Sequence, residues 1–395
     1  MAEPIKKLAI VGASARAAAF SALRAGYEVA AADLFADADL QAHCEATRIE
    51  SGYPDALADW LASTPCDGWL FTGALENHHE LINAMSKLRP LIGCSAGAIR
   101  ATRNPLLLQP VIEAAGLAFP ETHESSDKLP LDRSWLCKTY RSAGGSGVWL
   151  LDGPEARQRA IDEGAYFQRF VSGTSAAAIY LCSREGSTLL GVTRQLVGDS
   201  LAGARPWHYA GSVGPLPISE AAAGQLAQLG ELLSHRFKLT GIVGVDLVIS
   251  REKAWVIEIN PRYSSSAEVV ERMIGASLVE AHVRACGGEL VDFSPPSRSA
   301  RAQSKADTGA PQLHGKVILY AKRDVVVDES FYAWATSQST TTPEHCRLAD
   351  LPHVGTTIAH GQPALTVLVS APPAEFDGEV KRRIAQVFAK LYNEE

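Results

Sequence analysis

The first hundred residues alternate short apolar stretches with helical patterns. Apolar stretches typical of buried strands cover Lys6–Val11, Tyr27–Ala32, Trp69–Gly73 and Leu91–Gly93, and an alanine-rich helical pattern ends near Gly26. Strands that alternate with helices along a chain usually form a parallel sheet covered by helices. The pattern therefore predicts a Rossmann-like N-terminal domain.

The following two hundred residues contain a second mixture of helical and strand patterns. Helices are predicted at Leu106–Ala115 and Glu155–Glu163, and strands at Trp135–Tyr140 and Ala176–Leu181, with further strands up to Arg262. This mixture of predicted helices and strands indicates a separate α/β domain.

The last hundred residues begin with a segment that has no periodicity. Ser294–Gly315 is rich in Pro, Ser, Ala and charged residues, which predicts a linker or loop. Strands are predicted at Lys316–Tyr320 and Ala364–Val369, a turn region at Gly355–Ile358, and a helix at Glu379–Leu391. The predicted domains are therefore residues 1–98, 99–292 and 316–395, with a linker at 293–315.

Polar groups interrupt the two apolar strands predicted within residues 241–262. Asp246 stands in the first strand, and the second ends in a run that contains Glu258, Asn260 and Arg262. Because side chains alternate across a strand, Glu258 and Asn260 share a face, and Asp246 can lie beside them in a hairpin. Such oxygen ligands suit magnesium that is held largely by substrate phosphates, and an arginine beside them suits a transferring phosphoryl group. Asp246 alone is equally explained as an edge or salt-bridged acid, but the whole set favours a functional site.

A lysine and a glycine-rich segment form a second candidate site. Lys138 ends a strand pattern and Ser142–Gly147 follows it. Glycines allow backbone amides to approach phosphates, although a flexible surface hairpin is an equally good interpretation. The lysine precedes the glycines, so the segment is not a P-loop. A dinucleotide site at Gly12 with Asp33 on the ribose is disfavoured, because Gly12 is the only glycine of its fingerprint.

Composition narrows the class of protein. The chain has 395 residues, of which 46% are hydrophobic and 21% charged, as in globular proteins. A net charge of −7 gives no basic footprint for nucleic acid, and no apolar run reaches the length of a membrane span. Seven scattered cysteines are expected to be reduced thiols in a cytoplasmic protein, without disulfides or zinc.

In chain order, these motifs resemble the ATP-grasp superfamily of carboxylate–amine ligases, which includes biotin carboxylase and D-alanine–D-alanine ligase. The motifs span Arg103–Glu271, and the run Leu348–Pro363 resembles the tail domain of biotin carboxylase-like members. The chain as a whole is similar to predicted ATP-dependent carboligases, some of them tied to cofactor biosynthesis in one-carbon metabolism. The resemblance implies an α/β (α+β) ATP-grasp fold, with a Rossmann-like pre-ATP-grasp domain, a two-lobed ATP-grasp domain and a small β-rich C-terminal domain.

The resemblance also implies roles for individual residues. It makes Asp246, Glu258 and Asn260 the ligands of Mg²⁺, with Mn²⁺ as an alternative ion, and Arg262 the residue that stabilises an acyl phosphate. Lys138 would bind the phosphates of ATP, and the residues expected to close over them are Gly144, Gly145, Ser146 and Gly147. The hinge against adenine would be Gln168, Arg169, Phe170 and Val171.

Three positions depart from the superfamily's pattern. Arg103 stands where a phosphate-binding lysine is usual, and it is expected to take over that contact. Ser175 stands at the ribose position, which is often a glutamate. Asp246 replaces the commoner glutamate and shortens the reach to the metal.

The reaction implied by the resemblance is an ADP-forming ligation. A small carboxylic acid would be activated by ATP as an acyl phosphate and joined to an amine. Alternatives are a biotin carboxylase-like component, whose biotin carrier would be another chain, and a nucleotide-binding regulatory protein without turnover. The expected partners are small molecules, with no nucleic acid or membrane, and ligases of this kind are often homodimers.

Most of the candidate substrate contacts follow Arg262. Ser264, Ser265 and Ser266 are expected to contact a substrate carboxylate, and Arg194, earlier in the chain, is a further candidate. Alternatively, Ser265 and Glu268 form a Ser-x-x-Glu capping box at the start of a helix.

Overall fold

The computed structural model describes residues 5–289 and 311–394. The N-terminal part is a parallel sheet with strand order β3-β2-β1-β4. Its elements are β1 (Lys7–Val11), α1 (Arg16–Arg24), β2 (Glu28–Asp33), α2 (Ala38–Gln41), β3 (Glu45–Arg48), α3 (Ala56–Ser63), β4 (Gly68–Phe71), a 3₁₀ turn (Leu75–Asn77) and α4 (His79–Met85). The Rossmann-like prediction is confirmed, except that the strand predicted at Leu91–Gly93 is reduced to a single bridge between Leu91 and Trp69.

Two helices lead into a small antiparallel lobe. They are α5 (Ala96–Arg103) and α6 (Pro105–Ala114); Asn104 caps α6 by accepting a hydrogen bond from the Leu106 amide at 3.0 Å. The lobe is a sheet of order β5-β8-β6-β7. Its elements are β5 (Thr122–His123), β6 (Trp135–Lys138), β7 (Val148–Leu150), α7 (Pro154–Asp162) and β8 (Tyr166–Arg169).

A large antiparallel sheet follows the lobe. Its first part comprises β9 (Thr174–Cys182), β10 (Ser187–Val197), β11 (Tyr209–Gly214), α8 (Glu220–Glu231) with a π-helical turn (Leu232–Arg236), β12 (Gly241–Ser250), β13 (Lys253–Asn260), α9 (Ala267–Ile274) and α10 (Leu278–Cys286). No helix within the described residues is both long and apolar enough to cross a membrane.

The C-terminal residues extend the same large sheet. They form β14 (Leu313–Tyr320), β15 (Val325–Val326), α11 (Glu329–Thr336), β16 (Leu348–Ala349), β17 (Thr357–Ile358), β18 (Pro363–Ala371) and α12 (Pro373–Leu391). The strand order β13-β12-β9-β10-β11-β14-β18-β16 runs across the predicted linker, so the domain boundaries remain a prediction. Residues 293–310 of that linker lie outside the described residues, and its end is not a loop, because β14 already begins at Leu313.

A buried ionic cluster joins the N-terminal, central and C-terminal parts. Arg16 of α1 pairs with Glu268 of α9 and, at 2.9 Å, with Asp350. Lys316 of β14 donates to the other oxygen of Glu268 at 2.8 Å. Burial alone would raise the pKa of Glu268, but the two cations outweigh it and lower that pKa far below its usual range. The N-cap of α9 is Ser266 and no side chain caps this helix, so the alternative of a capping box between Ser265 and Glu268 is wrong.

His282 fastens the end of the N-terminal sheet to the large sheet. Its Nδ1 accepts a hydrogen bond from the Ile242 amide at 2.8 Å, and Nε2 lies 2.8 Å from the Ile92 carbonyl oxygen. The first bond requires a bare Nδ1, so the ring is neutral and Nε2 carries the proton. Burial lowers the pKa of His282 below its ordinary value of 6.5.

We expect His282 to make folding stability pH-dependent. Because its pKa is lower in the folded chain, the unfolded chain takes up the proton first as pH falls below 6.5. Stability is then lost by at most roughly 1.4 kcal/mol per pH unit. Urea unfolding at pH 7.5 and 5.5 should show a smaller difference between the two pH values in His282→Asn than in the wild type. An equal difference in both proteins would contradict this role.

Candidate active site

The hairpin of β12 and β13 brings the predicted metal ligands together. The strands pair so that Asp246 lies opposite Glu258, and a bulge follows immediately after Asp246. The Asn260 side-chain amide donates to Asp246 Oδ2 at 3.1 Å. Gln195 of β10 donates to Asp246 Oδ1 at 2.8 Å. The alternation predicted from the sequence therefore places all three oxygen ligands on one face of the sheet.

The two carboxylates of this hairpin differ in their electrostatic surroundings. Burial, and then the charge of Glu258, raise the pKa of Asp246 to about 6. Burial would also raise the pKa of Glu258, but Arg103 and Lys138 outweigh it and lower that pKa. The two carboxylates are thus held close together although each disfavours the ionisation of the other. Such an arrangement is expected at a cation-binding site.

The ligand set fits magnesium. Two carboxylates and one amide oxygen leave most of an octahedral shell to water and substrate oxygens, which is how Mg²⁺ is usually bound beside phosphates. Across residues 5–289 and 311–394, no group of three or more His, Cys, Asp or Glu side chains is arranged to hold a metal ion. With only two acids, these residues would leave most of the coordination of a bound ion to other ligands.

Two arginines face these acids, and each has an acidic partner. Arg103, at the end of α5, forms a salt bridge with Glu258 and donates to Asn77 Oδ1 at 2.8 Å. Arg262 donates to Glu76 Oε1 from Nε at 3.0 Å and from Nη2 at 2.6 Å. The cations are therefore oriented by residues of the 3₁₀ turn that follows β4.

A cavity of about 680 Å³ extends from the hairpin to the small lobe. Lys138 lies at its lobe side and donates to Gln168 Oε1 at 3.1 Å. The hinge residues 168–171 and Ser175, at the start of β9, also line that side. Residues 142–145 of the glycine loop (residues 142–147) complete it. The nucleotide residues predicted from separate motifs thus meet in one cavity, with the exceptions described next.

Three predicted site residues lie elsewhere. Gly147 is buried under the glycine loop, against Thr139 and Ser142, and Ser146 is exposed. Neither of these two residues lines the cavity. Arg194 is exposed on β10 next to Gln195, and alternation puts it on the opposite face of the sheet.

The serine wall, Ser264–Ser266, lines the other end of the cavity. Ser266 is buried, and its Oγ lies 2.8 Å from Ser212 Oγ. The hydroxyl of Ser264 is buried without a hydrogen-bond partner among the described residues. Such a group is available to a bound molecule.

Sequence reasoning missed the residues that orient this site. Glu76 is only 2% exposed, and its Oε2 has no hydrogen-bond partner within the described chain. Asn77 and Gln195 were also overlooked. The one available signal was the position of Glu76 and Asn77 just beyond β4, at the carboxyl edge of a parallel sheet, where ligands often bind.

Asp33 has a structural role. Its carboxylate accepts hydrogen bonds from the amides of Ala15 at 2.7 Å, Phe35 at 2.9 Å and Ala36 at 2.6 Å. Because these bonds occupy both oxygens, Asp33 is committed to the turns around β1 and β2, and the disfavoured dinucleotide site gains no support.

Comparison with known proteins matches the middle of the chain to one family. The family described as "ATP-grasp domain" matches residues 103–266. A formate-dependent phosphoribosylglycinamide formyltransferase of Variovorax paradoxus (strain S110) is 26% identical over 180 residues, which is 42% of this chain and 44% of that protein. The enzyme of the same name from Nitratidesulfovibrio vulgaris (strain DP4) is 22% identical over 58% of this chain and 53% of its own length. The chain therefore spans about half the length of these relatives.

Solved structures resemble nearly the whole chain. An ADP complex of N5-carboxyaminoimidazole ribonucleotide synthetase has a TM-score of 0.68 at 16% identity and covers 98% of both chains. The L-amino acid ligase of Bacillus licheniformis has a TM-score of 0.69 at 14% identity, over 96% of this chain and 97% of that one. Biotin carboxylase of Campylobacter jejuni has a TM-score of 0.65 at 12% identity, over 93% and 88%. The resemblance found in the sequence is confirmed: residues 103–266 match the ATP-grasp domain family, and the chain has the ATP-grasp fold.

Proposed function

We propose that this protein is an ATP-dependent ligase that joins a small carboxylic acid to an amine and releases ADP and phosphate. The observation that supports this most directly is the convergence of Asp246 and Glu258 with Arg103, Lys138 and Arg262 on one cavity. Phosphoryl transfer to a carboxylate requires both kinds of charge. The acids can bind the metal ion, and the cations can neutralise the negative phosphate and carboxylate groups that react.

The chemistry explains the need for ATP. A carboxylate resists attack by an amine because its leaving group is poor. An oxygen of the acid attacks the γ-phosphorus of ATP, and the bond to ADP breaks. The amine nitrogen then attacks the carbonyl carbon of the acyl phosphate, inorganic phosphate leaves with the bonding electrons, and the nitrogen loses a proton. The protein mainly positions the reactants and neutralises charge.

The nucleotide is assigned to the lobe side of the cavity. Lys138 and Arg103 are suited to the phosphates, and the hinge from Gln168 to Val171 is suited to adenine, with Ser175 near the ribose. Asp246, Glu258 and Asn260 would hold Mg²⁺, or Mn²⁺ in its place, which neutralises the phosphate charge and orients the transferred group. Gly144 and Gly145 bring backbone amides towards the same region.

Arg262 and the serine wall are assigned to the acid substrate. The guanidinium of Arg262 lies between Glu76 and the metal hairpin, 3.3 Å from Asn260 Oδ1. From there its planar fork can bind the acyl phosphate oxygens and the oxyanion that forms during amine attack. Ser264–Ser266 extend the wall beyond it.

The test is a screen for substrate-dependent ADP release. Purified protein with Mg²⁺ and ATP is incubated with pairs of amino acids and other small acids and amines. We expect a pair that releases ADP and phosphate together with an amide product seen by mass spectrometry. Release that needs only bicarbonate and a biotinylated partner would instead favour the carboxylase function. AMP release, or tight nucleotide binding without turnover for any pair, would contradict the ligase function. Light scattering of the same sample tests the proposed homodimer.

A further inference from the structure

Three hydroxyl groups form a continuous chain behind the active site. Tyr209 Oη lies 2.8 Å from Ser212 Oγ, which lies 2.8 Å from Ser266 Oγ. Ser212 is fully buried and Ser266 is 2% exposed, so little water competes for the bond between these two hydroxyls. Tyr209 and Ser266 both line the cavity, whereas Ser212 bridges them from inside the sheet.

The same tyrosine is attached to the glycine loop. Its backbone amide donates to the Gly144 carbonyl at 2.9 Å. The next residue, Gly145, has a φ of +83°, and a Cβ there would stand 1.9 Å from the Trp207 carbonyl oxygen. The loop can approach this strand so closely only because residue 145 is glycine. Tyr209 thus touches the phosphate-binding loop with its backbone and the hydroxyl chain with its side chain.

The acidity of the hydroxyls indicates which of them donates in each hydrogen bond of the hydroxyl chain. A phenol is more acidic than an aliphatic alcohol and is the better donor. Tyr209 is therefore expected to donate to Ser212, and Ser212 to Ser266. The proton of Ser266 is then free to point into the cavity, and the preceding bonds strengthen it as a donor. A donor at this position, beside Arg262, suits an oxygen of the acid substrate.

We propose that Tyr209 is a positioning residue that couples the glycine loop to the serine wall. Nucleotide bound beneath the loop stabilises the existing contact between the loop and the backbone of Tyr209, and the hydroxyl chain then holds Ser266 as a donor to the acid. The order of events would favour nucleotide before acid. The inference rests on the proposed function, because it assumes nucleotide beneath the glycine loop and an acid at the serine wall.

Hydrogen–deuterium exchange with Mg²⁺ and ADP tests the coupling without knowledge of the acid. In the wild type, we expect the nucleotide to slow exchange in residues 142–148 and also in residues 263–268. In Tyr209→Phe, we expect slower exchange in the first segment only. The matched control is Tyr180→Phe, which removes a buried hydroxyl bonded at 2.9 Å to the Leu226 carbonyl, away from the cavity. The control should keep both responses, which separates coupling from general loss of stability.

The outcomes separate this inference from the proposed function. If ADP does not protect residues 142–148 of the wild type, the proposed nucleotide site fails. If it protects that segment but not residues 263–268, or if Tyr209→Phe keeps both responses, the coupling is overturned. Ser212→Ala breaks the same chain at another link and should reproduce the Tyr209→Phe result. With the acid found by the screen, both variants should raise its KM roughly three- to tenfold, the worth of one hydrogen bond, and leave the KM for ATP unchanged.

Discussion

Removing the guanidinium of Arg262 is expected to stop turnover while nucleotide binding survives. Arg262→Ala would leave Glu76 buried without a partner, so the variant is best made together with Glu76→Gln. The group is needed mainly when charge builds up on the transferring phosphoryl group and on the oxyanion. We therefore expect kcat to fall roughly a hundred- to a thousandfold. The affinity for ADP and Mg²⁺, measured by calorimetry, should stay within roughly threefold of the wild type, because the proposed nucleotide site lies nearer Lys138.

Two further variants sharpen this result. Glu76→Gln alone keeps the arginine and should retain far more activity than the double variant. Arg262→Lys keeps the charge but loses the planar fork, and we expect an intermediate kcat. Normal turnover in the double variant would remove Arg262 from the mechanism, and a parallel loss of ADP affinity would assign it to the nucleotide instead.

Neutralising both acids of the hairpin is expected to abolish the magnesium dependence of nucleotide binding. Asp246→Asn with Glu258→Gln keeps the shapes of the side chains and removes two negative charges from the site. Calorimetry with and without EDTA should show that Mg²⁺ strengthens ADP binding to the wild type by at least about tenfold, or 1.4 kcal/mol, and that the variant gains nothing from the ion.

The control for this variant is a carboxylate outside the cavity. Glu379 pairs with Arg382 and Arg383 on α12, and Glu379→Gln should leave the magnesium effect intact. A double variant whose ADP affinity still rises with Mg²⁺ would show that the ion is held elsewhere. Loss of all ADP binding even in EDTA would point to damage of the cavity as a whole.

Local patterns were sufficient for the parts of the site that lie on neighbouring strands. The alternation of β13 placed Glu258 and Asn260 on one face, and the tight connection to β12 left only one nearby strand for Asp246. The glycine loop was harder to delimit. Gly144 and Gly145 line the cavity, whereas Ser146 and Gly147 do not. Gly144 and Gly145 contact Tyr209 and Trp207, which are distant in sequence, and no local pattern predicts such contacts.

Local patterns did not predict how strands that are distant in sequence pair with each other. Arg194 and Gln195 are adjacent in sequence, and nothing local shows which of them faces the cavity; the register of β10 against β9 and β11 decides it. A slip of one residue would exchange the two side chains. The C-terminal strands likewise looked like a separate domain, but β14 pairs with β11 and continues the same sheet.

The sequence by itself determined the resemblance to ATP-grasp proteins, the α/β architecture and the chemical groups of the candidate site. These depend on residue type and on short spacings within single strands and loops. Only the tertiary structure decided which acidic side chain pairs with each arginine of the site. Arg262 finds Glu76, 186 positions away, and Arg103 finds Glu258, 155 positions away. Such pairs form because burial makes an unpaired charge costly, and that cost exists only once the fold has brought distant segments together.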